Sequence, residues 1–223
     1  MSQDPKFVQA AFASIAPRYV LANHVLSLGI DVLWRKRVAK IVRGLNPGSL
    51  LDVATGTGDL ALEIGKFCPN TEITATDFCP EMLEVATKAG VPNTMVADAM
   101  NLPFGEGEFD AVTVAFGLRN MESWVGAAKE MRRVIRPGGS LVILDFSLPE
   151  GLMRGPYRAY LHHVLPKLAG AIAGNRGAYE YLSESIERFP SGAEMEDLLK
   201  EAGFVSAASI PLTGGISSIY VAS

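Results

Sequence analysis

Cysteine is scarce in this chain: there are two among 223 residues, Cys68 and Cys79. Two thiols without metal-ligand spacing make neither a disulfide framework nor a zinc site. They read as unpaired thiols in a reducing compartment. The adjacent His162 and His163 belong to no ligand pattern either, so no metal is expected. Positive charge is also in short supply, with 20 Lys and Arg against 24 Asp and Glu and a formal charge of −4. That balance argues against a nucleic-acid partner, because a phosphate backbone needs a cationic face. No run of about 18 uncharged apolar residues exists, so no segment reads as membrane-spanning. The start, Met1-Ser2-Gln3-Asp4-Pro5-Lys6, lacks the basic and apolar regions of an export signal. A cytoplasmic location is the expectation.

What is present suits a folded domain. Apolar residues make up 48% of the chain and charged ones 20%, which is ample for a core. Residues 4 to 45 read as helical. Val32, Leu33, Val38, Ile41, Val42 and Leu45 recur at helical spacing, with Arg35, Lys36, Arg37, Lys40 and Arg43 between them. Asn46-Pro47-Gly48 is a stop. Strands then alternate with helices: strands at 49–54, 72–77, 94–97, 110–116 and 140–146, helices at 60–67, 80–89 and 123–135. Ser123 is a candidate N-cap and Pro80 suits a first turn. Arg136-Pro137-Gly138-Gly139 reads as a turn before the strand at Ser140. Alternation of this kind implies a parallel sheet with right-handed crossovers, and ligands in such sheets sit at the carboxyl ends of the strands. Beyond Pro149 an irregular helical stretch is expected to 189, followed by a helix over 192–202. A strand pair at 205–210 and 216–222 then turns at Leu212-Thr213-Gly214-Gly215.

The first strand runs into Asp52-Val53-Ala54-Thr55-Gly56-Thr57-Gly58-Asp59. Glycines there allow a sharp turn and close approach to a ligand, and the next helix points free N–H groups at it. Gly56-x-Gly58-x-x-Ala61 also fits the dinucleotide fingerprint, so this loop does not by itself choose a cofactor. Three carboxylates help to choose. Asp77 ends the second strand, where it can accept both hydroxyls of a ribose. Asp98, beside Ala99, follows the third and can hold an adenine amino group. Asp52 precedes the glycines and can meet a cationic amine. Such a cluster suits a ligand with a sulfonium and an ammonium, and suits a pyrophosphate badly.

Several stretches carry a family resemblance. They are Phe12-Ala13-Ser14-Ile15-Ala16-Pro17-Arg18-Tyr19 with Asn23, then Trp34-Arg35, the glycine loop, and Asp77-Phe78-Cys79-Pro80-Glu81-Met82-Leu83. Leu102-Pro103-Phe104, Phe116-Gly117-Leu118-Arg119-Asn120, Tyr179-Glu180-Tyr181-Leu182-Ser183-Glu184-Ser185-Ile186 and Leu212-Thr213-Gly214-Gly215-Ile216 follow. Over nearly its whole length the chain resembles the ubiquinone/menaquinone biosynthesis C-methyltransferases. The resemblance implies an α/β, Rossmann-like class I methyltransferase fold, a mostly parallel seven-stranded sheet with helices on both faces and its last strand antiparallel. It implies S-adenosyl-L-methionine as cofactor, with contacts at Thr57, Asp77, Asp98 and Ala99. Asp52, Thr55, Gly56, Gly58, Phe78, Met82 and Phe116 complete the expected cofactor site. Some members carry a serine where Ala115 stands, and the family usually has a glycine where Thr55 stands and an aspartate where Val20 stands.

The implied reaction is C-methylation of a prenylated quinol ring, demethylmenaquinol to menaquinol first, with a ubiquinol precursor as the alternative. Carbon methylation needs an electron-rich ring, hence the reduced quinol, and losing a hydroxyl proton makes the ring carbon more reactive. Arg119, Asn120 and Tyr19 are the candidate catalytic residues. Arg119 stays protonated, so it suits holding a developing phenolate or, alternatively, a structural tie to a carboxylate. Asn120 can equally be a turn residue, and Tyr19 a core tyrosine. Residues 1–46 are expected to form a helical lid, 47–149 the cofactor-binding core, 150–190 a substrate-covering insertion and 191–223 the closing helix and strands. Between Glu150 and Glu180 no acidic residue occurs, while Arg154, Arg158, Lys167 and Arg176 do. An apolar trough for an isoprenoid tail and peripheral contact with the inner membrane surface are therefore expected. A homodimer is compatible with the sequence. Competing readings are a nicotinamide-dependent oxidoreductase, a methyltransferase for a soluble small molecule or sterol, and a non-catalytic binding module.

Overall fold

The computed structural model describes residues 29–149, 151–164 and 183–223. Tyr19, the N-terminal motif around it and the motif residues 179–182 lie outside these, as do residues 150 and 165–182 of the expected insertion.

A seven-stranded sheet runs in the order β3-β2-β1-β4-β5-β7-β6. The strands are β1 (Ser49–Val53), β2 (Glu72–Asp77), β3 (Thr94–Val96), β4 (Phe109–Ala115), β5 (Ile135–Phe146), β6 (Ala207–Leu212) and β7 (Ser217–Ala222). The first five pair in parallel, and β7 inserts antiparallel between β5 and β6. The helices are α1 (Ile30–Leu45), α2 (Asp59–Phe67), α3 (Pro80–Lys88), α4 (Trp124–Val134), α5 (Arg154–Ala159) and α6 (Ala193–Glu201).

Successive strand residues point to opposite faces, which divides the core in two. Leu51, Val112, Val114, Leu141, Ile143 and Tyr220 face α4 and α6. Leu50, Ala111, Val142, Leu144 and Ile219 face α1 and α2. Ser123 caps α4 as expected, its hydroxyl accepting from the Gly126 N–H at 3.0 Å. Cys68 and Cys79 are both free and buried.

Two expectations are corrected. Arg136–Gly139 is drawn into β5 rather than preceding it. The register against β4 jumps from Phe109↔Ile135 to Ala111↔Ser140, so the turn survives as a bulge inside a longer strand. In α1, Leu33 and Leu45 are 62% and 40% exposed, and the buried stripe is Trp34, Arg35, Val38, Ala39 and Val42. Arg35 turns inward because Asp31, one turn earlier and also buried, supplies a partner that Lys36 or Arg37 would not find.

Among the described residues, no helix is long and apolar enough to cross a membrane, and no group of His, Cys, Asp and Glu is placed to hold a metal.

Candidate active site

Strands β1 and β4 are neighbours, yet the chain leaves them toward opposite edges of the sheet. Ligand sites in open α/β sheets form at such a switch point. A cleft of about 350 Å³ opens there, a size that takes a cofactor. Each strand ends on a residue with left-handed backbone: Ala54 (φ 52°) after β1 and Phe116 (φ 56°) after β4. These conformations are costly without glycine, and such strain clusters at functional sites. Gly117 has to be glycine for a different reason, since a Cβ there would lie 2.7 Å from Ala54 Cβ.

The Phe116-Gly117-Leu118-Arg119-Asn120 stretch is a cap on that strained end. Arg119 Nη1 donates to the Phe116 carbonyl at 2.6 Å, and Asn120 Nδ2 donates to the same oxygen at 3.3 Å. Arg119 also pairs with Asp145 at 2.7 Å, both buried, and its guanidinium lies over the Phe146 ring. Burial pushes the Asp145 carboxyl upward, against the pull of the Arg119 charge.

Most of the expected cofactor residues come together. Asp52, Thr55, Gly56, Thr57, Asp77, Phe78, Met82, Asp98, Ala99, Phe116 and Asn120 all line the cleft. Gly56, with φ +57°, has open space where a Cβ would stand. Asp77 is buried and takes the Gly56 N–H on one oxygen and the Cys79 N–H on the other, at 2.8 and 2.9 Å. Burial raises its pKa, against those N–H bonds. The same burial holds the neighbouring Cys79 as a thiol, pushed up to about 11. Asp52 sits between Thr113 Oγ1 at 2.5 Å and Thr55 Oγ1 at 2.6 Å. Burial lifts its carboxyl from an ordinary 3.8 to about 6; the two hydroxyls and Arg35 oppose the rise, and Asp77 adds to it. Asp98 is exposed and accepts from the Met100 N–H at 2.9 Å.

Two expected residues do not line the cleft. Gly58 (φ +83°) starts α2 beneath the loop, where a Cβ would fall 2.3 Å from Val91 Cγ2; it is there for packing. Arg119, a candidate catalytic residue, lies one layer behind it, in the alternative arrangement, a carboxylate tie to Asp145. Sequence reading missed Arg35, Met100, Met121 and Glu122, which line the cleft. For Arg35 a signal was available: Asp31 stands four residues before it, on the same face of one helix.

A model of the ubiE/COQ5 methyltransferase family matches residues 1–223. The chain belongs to that family. It is 44% identical over 220 residues to a demethylmenaquinone methyltransferase of Deinococcus radiodurans, covering 96% of this chain and 91% of that one. It is 44% identical over 216 residues to a Thermus thermophilus protein of the same name, covering 94% of this chain and 98% of the relative. Against a ubiquinone/menaquinone biosynthesis C-methyltransferase UbiE of Geobacter sp. strain M21 it is 42% identical, covering 99% and 97%. A crystal structure of a SAM-dependent methyltransferase of Thermotoga maritima superposes with a TM-score of 0.69 at 18% identity, over 96% of this chain and 98% of that one. This establishes the class I methyltransferase fold, and the protein is a methyltransferase of the ubiE/COQ5 family.

Two outcomes are expected. Asp145→Ala leaves a buried guanidinium without its carboxylate and should cost about 3–5 kcal/mol in urea unfolding. The double variant Asp145→Leu/Arg119→Met should recover much of that loss, and equal losses in both would refute the ion-pair account. The Asp52 carboxyl has a folded pKa of about 6 against 3.8 unfolded. Its protonated form therefore favours the fold, a contribution full below 3.8 and lost as pH rises through about 6. Asp52→Asn should gain on the wild type between pH 4.5 and 7, by roughly 2–3 kcal/mol at most. An unchanged difference across that range would show the carboxyl to be unperturbed.

Proposed function

We propose that the protein methylates a ring carbon of a prenylated quinol with S-adenosylmethionine, converting demethylmenaquinol to menaquinol. The observation that carries this reading is the row of carboxylates, Asp52, Asp77 and Asp98, lining one cleft at three neighbouring strand ends. Two of them are buried with raised pKa values, a state that a cationic ligand relieves and a pyrophosphate worsens. That is the ground for preferring this cofactor over a nicotinamide dinucleotide. The names of the relatives at 44% identity support the quinol.

The residues fit the cofactor. Gly56 leaves room against the loop. Asp77 accepts the Gly56 and Cys79 N–H groups on its two oxygens, with the Phe78 N–H also bonding it, and keeps lone-pair capacity for a ribose hydroxyl. Asp98 and Ala99 lie where an adenine would be held, and Met82 and Phe78 supply apolar lining. The cofactor, when bound, supplies an electrophilic methyl group on a sulfonium. The chain's own residues position the acceptor and exclude water. Asn120 lines the cleft at the end of β4 and touches the acceptor in this reading. Arg119 is a positioning residue that pins the Phe116 carbonyl and keeps Asn120 in place.

The quinol's tail also points to a membrane surface. Leu152 is 96% and Met153 55% exposed, immediately before Arg154. Apolar side chains beside a cation suit an anionic lipid interface.

With labelled methyl donor, reduced demethylmenaquinone should be methylated and the oxidised quinone should not. No product from the reduced naphthoquinol or from reduced ubiquinone precursors would refute the assignment. In flotation, the protein should rise with anionic vesicles and Leu152→Ser/Met153→Ser should rise less. Indifference of the wild type to anionic lipid would remove the membrane contact.

A further inference from the structure

The cleft's charges leave one part of the cofactor unmatched. Its methionyl end carries an ammonium and a carboxylate. Asp52, Asp59, Asp77, Asp98 and Glu122 line the cleft, and they repel the latter. Among the described residues, Arg35 is the one cationic side chain in the lining.

Arg35 is set apart from the other cations of α1. Lys36, Arg37, Lys40 and Arg43 are exposed, whereas Arg35 is buried. Its Nη1 pairs with Asp31 Oδ2 at 2.5 Å, and its guanidinium lies over the Phe116 ring, 5.8 Å from the centroid. Its Nη2 approaches Asp59 Oδ2 only to 3.9 Å, too far for a hydrogen bond. Asp31 thus fixes one edge of the fork, and the other edge is left for a planar anion.

Position along the cleft agrees. Asp98 follows β3, Asp77 ends β2 and Asp52 belongs to β1, with β4 and Phe116 next in the sheet. Arg35, over Phe116, is close enough to Asp52 to favour its ionised form. An adenosine held at Asp98 and Asp77 puts its amino-acid end at Asp52 and Arg35. The preceding residue anchors the arrangement. Trp34 is buried against Phe116 and Phe146, and its indole N–H donates to Thr213 Oγ1 at 2.9 Å.

We propose that Arg35 clamps the carboxylate of the cofactor's methionyl group, with Asp31 and Trp34 as its positioning residues. The proposal rests on the S-adenosylmethionine reading above.

Calorimetry with S-adenosylhomocysteine and with its decarboxylated analogue tests both separately. The wild type should bind S-adenosylhomocysteine more tightly, by about tenfold or more. Arg35→Met should lose that preference while its affinity for the decarboxylated analogue stays within about twofold. Because Arg35→Met takes the guanidinium away from the buried Asp31, Asp31→Asn/Arg35→Met is measured beside it and should show the same selective loss. Equal weakening of both ligands, or an intact preference in the double variant, would overturn the clamp. A wild type that binds neither ligand would overturn the cofactor reading, and the clamp with it.

Discussion

The site depends on one constraint of chain path. Strands β1 and β4 pair with each other and then send the chain away in opposite directions, so the backbone must open at their carboxyl ends. Ala54 and Phe116 take left-handed conformations to make that opening, and Gly117 closes against Ala54 where no side chain would fit. Strain of this order persists only when its surroundings over-determine it. Here Arg119, Asn120 and the buried Asp145 hold the Phe116 end. The Phe116–Asn120 segment is therefore an architectural cap as well as the rim of a cleft.

The second tension is electrostatic. Asp52 and Asp77 are buried side by side, and burial disfavours their charged forms. Backbone N–H groups and threonine hydroxyls offset part of that cost without cancelling it. In their charged forms such groups cost the fold stability. On the proposed function they meet a positively charged ligand, the sulfonium cofactor of the family.

Much of the fold was legible because period and punctuation agree. β2 was read at its observed limits, since Glu72–Asp77 is rich in β-branched residues and flanked by turn formers. Ser123 was legible as a cap by residue type and place. The carboxylates were legible because strand ends in a parallel sheet converge on one edge. Arg35 was harder to read, because a cation within a run of cations reads as solvated face and the Asp31 spacing signals a pair without its burial. Only the Asp31 pair and the cleft turn it inward. Arg119 was misplaced because residues after a strand face the cleft on average, and burial beside Asp145 is a tertiary fact. The Arg136–Gly139 bulge escaped because Pro-Gly-Gly signals a break in either arrangement.

The hydrogen bond from Trp34 to Thr213 spans most of the chain, and β7, beyond Thr213, is threaded between β5 and β6. On the ribosome, then, the Trp34 indole waits for a turn made 179 residues later. Domains emerging from the amino terminus usually fold as they appear. Here α1 can dock on α2, β4 and β5 as they emerge, but its Trp34 anchor and the antiparallel edge of the sheet close only after Thr213 and β7 have been made, so the pocket wall is completed late.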